Sequence, residues 1–264
     1  MNKKQILFIG CGNMGNAILS SLVQNCTDVQ FSVIDGNFKN PYNNVTTYKD
    51  VDALNFIPDA IFIGVKPQIL SQIKDDLAKI ITKHNIVISM LAGTSTEQIA
   101  AITGTGRKIA RVMPNIAAMK GNSTSSCYFN ENMSEDDKDF AITLFKHFGI
   151  CEVLSDEEDM HISTLINGGA IAYFALIIKY FKQAAVKNAK NLTEEQINNL
   201  LYNTYKNLLE VNKPEDEIIS LICSKKGTTE AVIESLKKQS LEQLISKAIE
   251  DGMIRSKELG KNNE

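Results

Sequence analysis

Three glycines near the start of the chain have the spacing of a backbone turn that binds phosphate groups. Gly10, Gly12 and Gly15 follow an apolar-leaning run, 5–9, and precede an amphipathic helical pattern. The first glycine permits a tight turn, the second lets the backbone approach a pyrophosphate, and the third lets the helix pack closely on the strand. The N-terminal amides of the helix would add donors. We therefore predict a dinucleotide site formed by Gly10, Cys11, Gly12, Asn13, Met14 and Gly15.

An acidic residue lies where the second strand of such a site would end. Asp35 comes 20 residues after Gly15, where a carboxylate can accept hydrogen bonds from the adenosine ribose. The same charge would repel a ribose 2′-phosphate, so the residue favours NADH over NADPH, although Lys39 could still receive such a phosphate. The alternative is that Asp35 is only a turn residue before Gly36.

A second group of small and polar residues could bind an anion in the last third of the chain. The run from Cys223 to Thr229 precedes a predicted helix, so its amides can converge on an anion. The alternative is that Thr228 or Thr229 is only the N-cap of this helix, a role that is compatible with binding.

The first half of the chain alternates short apolar runs with amphipathic segments, the pattern of a parallel sheet with helical crossovers. Predicted strands cover 5–9, 30–34, 60–65, 86–90, 108–112, 125–129 and 151–154, and predicted helices cover 13–24, 69–81, 95–103 and 135–148. Thr94 and Glu97 fit a capping box for the third of these helices. The carboxyl ends of parallel strands line the ligand crevice of open sheets. The residues predicted there are Val65, Lys66, Pro67, Ala92, Gly93 and Asn115.

The strand pattern ends near Ser155, and the remaining residues have helical patterns. A long helix over 164–190 is apolar through its first two-thirds, and shorter helices follow. Apolar residues cover most of the circumference of 162–181, which is typical of a helix buried on several sides. This helix forms either a layer on the sheet or, as we favour, an interface with a second copy of the chain. The predicted domains are 1–155 and 156–264.

Composition excludes several classes of protein. The chain has 264 residues and a net charge of −3, without the basic excess of a sequence-independent nucleic-acid binder. Five scattered cysteines are typical of reduced thiols in a cytoplasm. The longest apolar run, 170–178, is about half a membrane span. We therefore expect a cytoplasmic protein without nucleic-acid or membrane partners.

Titratable residues give no sign of a metal site. His84, His147 and His161 lack neighbours at metal-ligand spacing, so we predict structural roles for all three. The acidic run 156–159 is typical of a solvated first helical turn.

Several motifs together resemble the pyrroline-5-carboxylate reductase family, in order, over essentially the whole chain. They are G-C-G-N-M-G-N-A-I at 10–18, V-K-P at 65–67, S-x-x-A-G at 89–93, R-V-M-P-N at 111–115, G-T-T at 227–229 and R-S-K-E-L at 255–259. The resemblance implies an α/β N-terminal Rossmann domain followed by an all-α dimerisation domain. It also implies homodimers that often assemble into larger rings. The implied reaction is hydride transfer from NADPH or NADH to the C5 imine carbon of 1-pyrroline-5-carboxylate, which gives L-proline.

The resemblance also implies roles for the second group of residues. Ser224, Gly227 and Thr228 would bind the substrate carboxylate. Thr229 would be the catalytic residue, because its hydroxyl would contact the ring nitrogen of the substrate.

The chain departs from the family pattern near this implied site. Lys225 and Lys226 replace a proline and a glycine, and Asn167 and Ile171 replace a serine and a proline. These departures leave two alternatives open. One is a divergent imine reductase of the same fold, and the other is a non-catalytic NAD(P)-binding paralogue.

Overall fold

The computed structural model describes residues 3–261 and divides the chain into two compact units. One unit holds the described chain up to Gly169 together with the residues from Gly252 onward, and the other is Ala170–Asp251. These units differ from the expected domains, 1–155 and 156–264. Both ends of the expected helical domain belong to the first unit because they pack on each other and on a loop of the sheet.

An eight-stranded sheet forms the centre of the first unit. Its strands are β1 (Lys4–Ile9), β2 (Val29–Ile34), β3 (Val45–Tyr48), β4 (Ala60–Ile63), β5 (Ile86–Ser89), β6 (Lys108–Met113), β7 (Ser123–Phe129) and β8 (Gly149–Val153). Their order is β3-β2-β1-β4-β5-β6-β7-β8, and only the β6–β7 pair is antiparallel among these strands. All the expected strands are confirmed. The edge strand β3 is not among the expected strands, because its polar and exposed residues Thr46 and Thr47 interrupt the apolar pattern.

The central strand β1 is buried on both faces. Phe8 belongs to one apolar cluster and stacks on Phe62 of β4 with ring centroids 4.5 Å apart. Leu7 and Ile9 belong to the cluster on the opposite face, which is why the strand has a continuous apolar pattern. The strand order reverses between β1 and β4, and ligands of such sheets bind outside the carboxyl ends of the strands at this point.

Five helices accompany the strands, namely α1 (Asn13–Asn25), α2 (Pro67–Leu70), α3 (Lys74–Ile80), α4 (Thr96–Thr103) and α5 (Glu135–Lys146). The single helix expected over 69–81 is wrong, because a 3₁₀ turn, Ser71–Ile73, separates α2 from α3. Ile73 leaves the helical conformation with φ −99° and ψ 12°, and Asp75 and Asp76 then lie in the first turn of α3.

The capping box of α4 lies one residue later than the sequence pattern predicts. Ser95 is the N-cap, and its hydroxyl accepts the Gln98 N–H at 3.2 Å. The Gln98 side-chain oxygen accepts the Ser95 N–H at 2.9 Å in return. The prediction of Thr94 with Glu97 is therefore wrong, because Ser95 is the residue with extended backbone before the helix.

The long apolar helix has three parts, α6 (Asp159–Ser163), a π-helical segment (Thr164–Gly169) and α7 (Ala170–Asn188). Asn167, in the π-helical segment, donates from Nδ2 to the Met113 carbonyl at 2.7 Å. Widened turns of this kind are frequent at functional sites. By length and composition alone, the 30 residues of Asp159–Asn188 would also cross a membrane. The absence of a membrane partner therefore stays a prediction.

The second unit is helical and contains α7, α8 (Glu194–Glu210), α9 (Glu215–Ile222), α10 (Thr228–Lys238) and the first half of α11 (Leu241–Lys261). Among the described residues of this unit, Ile197 alone is a buried hydrophobic residue. Apolar side chains of α7 are about half exposed, with Phe174 at 55% and Phe181 at 51%. Apolar surface of this extent marks an interaction site.

Candidate functional site

The glycine-rich turn has the geometry that its spacing predicts. Gly10 has φ +78°, and a Cβ there would lie 2.7 Å from the Val65 backbone nitrogen, so the position requires glycine. A Cβ on Gly12 would meet nothing within 4 Å, which leaves open space beside the turn. A Cβ on Gly15 would lie 3.2 Å from the Gly10 carbonyl oxygen, so this glycine allows close packing of α1 on the turn. These three positions fit a dinucleotide pyrophosphate.

The first turn of α1 supplies backbone donors next to Gly12. Gly12 is the N-cap, and no side chain caps the helix. The Asn16 N–H donates to the Gly12 carbonyl at 2.8 Å, so the amides of Asn13, Met14 and Gly15 precede the hydrogen-bond ladder. Amides in this position, together with the helix dipole, favour a bound phosphate.

Asp35 connects the end of β2 to the glycine-rich turn. One carboxylate oxygen accepts the Cys11 N–H at 2.7 Å, and the other accepts the Asn37 N–H at 2.8 Å. The hydrogen bond from the Asn37 N–H forms the turn that is expected if Asp35 is only a turn residue. Each oxygen retains a lone pair that can accept a ribose hydroxyl, so the two roles of Asp35 are compatible.

Among the predicted binding residues, Cys11 contributes little to ligand binding. Its side chain is buried, and its amide is already bonded to Asp35. Burial, with a smaller contribution from the Asp35 charge, raises the pKa of the Cys11 thiol to about 12. The thiol is therefore protonated at neutral pH, and Cys11 stabilises the turn.

A cleft of about 500 Å³ opens beside the glycine-rich turn. A Cβ on Gly64 would lie 2.7 Å from the Gly10 carbonyl oxygen and 2.6 Å from Met90 Cε, so the loops after β1, β4 and β5 meet at this edge of the sheet. The predicted binding residues that line the cleft are Gly10, Gly12, Asp35, Val65 and Lys66. Pro67 follows Lys66 and opens α2.

The remaining predicted cofactor residues lie in the loops after β5 and β6. Ala92 and Gly93 precede α4, and Gly93 has φ +76°. Asn115 is buried and donates from Nδ2 to Asn167 Oδ1 at 3.2 Å. Its own Oδ1 caps a short 3₁₀ turn. The family departure at Asn167 therefore supplies a bonding partner to a predicted site residue. Unlike the five residues above, these three residues do not line the cleft.

A buried ion pair, which the sequence patterns did not indicate, connects β6 to the segment before α6. The Arg111 side chain is 2% exposed, and its Nη1 donates to Glu157 Oε1 at 2.8 Å. The Glu157 carboxylate also accepts the Thr96 N–H at 2.7 Å and the Thr96 hydroxyl at 2.8 Å. The interpretation of 156–159 as a solvated first turn is therefore wrong for Glu157, since α6 begins at Asp159. The available signal was an arginine within an apolar strand, which requires a carboxylate partner.

The predicted substrate residues lie together in one turn of the second unit. The Gly227 N–H donates to the Ser224 carbonyl at 2.8 Å. A Cβ on Gly227 would lie 2.8 Å from the Ser224 carbonyl oxygen, so the turn requires glycine at this position. Lys226 has φ +61°, a left-handed conformation that glycine adopts without strain. The Glu230 carboxylate accepts the Lys226 N–H at 2.5 Å and stabilises this conformation.

Helix α10 begins directly after this turn. Its N-cap is Gly227, so the alternative that Thr228 or Thr229 is only the N-cap is wrong. No side chain caps α10, and its first helical bond runs from the Ala231 N–H to the Gly227 carbonyl at 3.1 Å. The amides of Thr228 and Thr229 therefore precede the ladder, as donors to an anion do.

Two family models match the parts of the chain that contain the glycine-rich turn and the turn before α10. A family model described as pyrroline-5-carboxylate reductase dimerisation matches residues 157–259. A model described as NADP oxidoreductase, coenzyme F420-dependent, matches residues 5–93. The chain is 29% identical to a pyrroline-5-carboxylate reductase of Haemophilus influenzae, with 98% of both chains covered. It is 27% identical to the Escherichia coli enzyme of that name, with 98% of this chain and 100% of the relative covered.

Solved structures give the same result. A Plasmodium falciparum pyrroline carboxylate reductase with NADP bound superposes with a TM-score of 0.88 at 26% identity, covering 98% of this chain and 99% of that one. A pyrroline-5-carboxylate reductase from Coxiella burnetii superposes with a TM-score of 0.80 at 28% identity, over the same shares. Over nearly its whole length, the chain is therefore similar to pyrroline-5-carboxylate reductases.

Proposed function

We propose that this protein is a pyrroline-5-carboxylate reductase, an NAD(P)H-dependent oxidoreductase that reduces the C=N bond of 1-pyrroline-5-carboxylate to give L-proline. One observation carries the proposal: a single chain holds two uncapped helix N-termini, each preceded by a turn that requires glycine. The turn at Gly10 precedes α1, and the turn at Gly227 precedes α10. The first fits a pyrophosphate and the second fits a carboxylate, which are the anionic groups of the cofactor and the substrate.

The cofactor would be held by the residues at the carboxyl edge of the sheet. The amides of Asn13 and Met14 would bind the pyrophosphate, and Asp35 would accept bonds from the adenosine ribose. Val65, Lys66, Pro67, Ala92, Gly93 and Asn115 would complete the site. A bound reduced nicotinamide supplies a hydride, and these residues orient the cofactor and exclude water.

The substrate would be held by the turn before α10. The amides after Gly227, together with Ser224 and Thr228, would bind the carboxylate. The Thr229 hydroxyl would hydrogen-bond to the ring nitrogen, which becomes an amine in the reaction. Lys225 and Lys226 add positive charge beside this turn, which favours an anionic substrate.

Within this function we propose a preference for NADH. Asp35 lines the cleft, and the Cys11 and Asn37 amides hold both of its carboxylate oxygens. A carboxylate fixed in this place would repel a 2′-phosphate. The Plasmodium falciparum relative has NADP bound, so the preference of this chain requires its own measurement.

We propose that the protein functions as a homodimer in the cytoplasm, without nucleic-acid or membrane partners, and that the dimers assemble into a larger ring. The half-exposed apolar side chains of α7 and the match of 157–259 to a dimerisation model support the dimer. A helix with apolar residues around its circumference is stable in water when a further surface covers it.

The test is the oxidation of NADH and of NADPH by the purified full chain with 1-pyrroline-5-carboxylate, followed by the absorbance of the reduced nicotinamide. The expected result is proline formation with both donors and a higher kcat/KM with NADH. Turnover of other cyclic imines alone would favour the divergent imine reductase. Dinucleotide binding without any turnover would favour the non-catalytic paralogue, and either result would contradict the proposal.

A further inference from the structure

The last helix of the chain presents three small residues at four-residue intervals. Gly252, Ser256 and Gly260 of α11 share one face, and each contacts a different part of the first unit. A Cβ on Gly252 would lie 3.0 Å from Leu165 Cδ1 in the π-helical segment. Ser256 Oγ lies 2.8 Å from His161 Nδ1 of α6, in a buried contact. The third residue, Gly260, contacts the loop between β5 and α4.

The contact of Gly260 is between backbones. A Cβ on Gly260 would lie 2.3 Å from the Gly93 carbonyl oxygen, and a Cβ on Gly93 would lie 2.4 Å from the Ser256 carbonyl oxygen. The Gln98 side chain also donates to the Gly260 carbonyl at 2.7 Å, which connects the end of α11 to the first turn of α4. The helix and the loop can approach this closely only because neither glycine has a side chain.

The same loop also reaches the cleft beside the glycine-rich turn. Met90 lies at its start, and Met90 Cε would be 2.6 Å from a Cβ on Gly64. Gly64 lines the cleft. A continuous series of contacts therefore leads from α11, through Gly93 and Met90, to the cleft wall.

We propose that Ser256 and Gly260 are positioning residues for the dinucleotide site, because they hold the Met90–Ser95 loop against the cleft. This inference rests on the proposed function only in taking the cleft to be the dinucleotide site. It assigns a binding role to the end of the chain, which lies far from the glycine-rich turn in sequence. Neither residue touches the cofactor, so both act through the loop.

Gly260→Ala tests the proposal in the full chain. The new methyl group would push the loop away from α11, and we expect the Kd for NADH, measured by fluorescence titration without substrate, to rise about tenfold. Gly252→Ala is the matched control, because it makes the same substitution on the same helix face against Leu165. Both glycine substitutions should lower the melting temperature, but Gly252→Ala should leave the Kd for NADH within about twofold of the wild-type value.

Ser256→Ala is the milder second variant and serves if Gly260→Ala does not fold. It removes the hydroxyl from His161 and keeps a good helix former, and the Kd for NADH should rise about threefold. In turnover assays, both variants should raise the KM for NADH while the KM for the imine stays unchanged.

Two results would overturn the inference. If Gly260→Ala and Ser256→Ala bind NADH as wild type does, the contacts of α11 serve stability alone. If wild type binds neither NADH nor NADPH, the cleft is not a dinucleotide site and the proposed function fails as well. If wild type binds NADH but does not reduce the imine, only the proposed reaction is contradicted. The Kd values of the variants for NADH then still test this inference.

Discussion

The two compact units of this protein bury their apolar residues to very different degrees. The first unit has a sheet with both faces covered, and residues such as Phe8, Phe31 and Phe62 are at most 1% exposed. Among the described residues of the second unit, Ile197 alone is a buried hydrophobic residue, and large side chains such as Leu209 remain 68% exposed. The first unit therefore has a core of its own, whereas the second has helices whose apolar faces require another surface.

The two units should therefore respond differently to substitutions. The proposed cofactor residues lie in the unit that has its own core, so we expect their effects to be local. The proposed substrate residues lie in the unit with the exposed helices, so we expect their activity to depend on the dimer. Five substitutions test this difference between the units.

Phe174→Asp should disrupt the proposed dimer. A charge in the middle of an apolar interface is desolvated without a partner, so the dimer Kd should rise about a hundredfold or more. Analytical ultracentrifugation measures the change. Ile57→Asp is the control, because Ile57 is 73% exposed in the first unit and should leave the dimer intact. Equal dissociation constants for Phe174→Asp and wild type would contradict our assignment of α7 to the interface.

Glu157→Ala should destabilise the first unit strongly. It leaves the Arg111 guanidinium buried without its carboxylate, and the free energy of unfolding should fall by about 3 kcal/mol. Urea denaturation measures this change. Glu158→Ala is the control, since the neighbouring carboxylate pairs with Lys257 at the surface and should contribute less than about 1 kcal/mol. Similar losses for the two variants would refute a special role for the buried pair.

Thr229→Ala should reduce kcat about a hundredfold, because it removes the hydroxyl that we place on the ring nitrogen. The Kd for NADH should stay at the wild-type value, because the proposed cofactor residues lie in the other unit. Thr229→Ser retains a hydroxyl and should restore most of the activity. An unchanged kcat in the alanine variant would remove Thr229 from the mechanism.

Asp35→Ser should shift the ratio of kcat/KM for NADH and NADPH about tenfold toward NADPH, because the repulsion of the 2′-phosphate is lost. The same variant should modestly lower stability through the lost bonds to Cys11 and Asn37. Asp139→Ser removes one exposed charge from α5 and controls for net charge. If both variants keep the wild-type ratio, the proposed NADH preference has no basis in Asp35.

Lys226→Val should reduce kcat/KM for the imine about fivefold, because a β-branched residue is strained in a left-handed conformation. Lys226→Gly removes the same charge but adopts this conformation without strain, so it should keep more activity than Lys226→Val. Steady-state kinetics with saturating NADH distinguish the two. Equal activity of the valine and glycine variants would show that the turn before α10 tolerates another conformation.

The sequence was most informative where structure depends on neighbouring residues. The glycine-rich turn and the strands of the sheet are confirmed, because each is set by residues a few positions apart. The predicted helices were wrong by one residue or one turn where two local patterns were both possible. Ser95 rather than Thr94 begins α4, and a 3₁₀ turn divides the helix expected over 69–81.

Contacts between distant segments could not be predicted in this way. Arg111 and Glu157 are 46 residues apart, His161 and Ser256 are 95 apart, and Gln98 and the Gly260 carbonyl are 162 apart. The sequence shows that each residue can form a hydrogen bond or allow a close approach. The partner that each residue contacts is determined only when the chain packs.

The sequence alone therefore determined the sheet, the glycine-rich turn and the change to helices in the second half. It did so because strand periodicity, glycine spacing and helix caps are local properties of the chain. The tertiary structure decided that the end of the chain returns to the first unit, that Glu157 is half-buried against Arg111 and Thr96, and that Asn167 pairs with Asn115. These outcomes depend on burial and on backbone approach between distant segments, which exist only once the segments pack together.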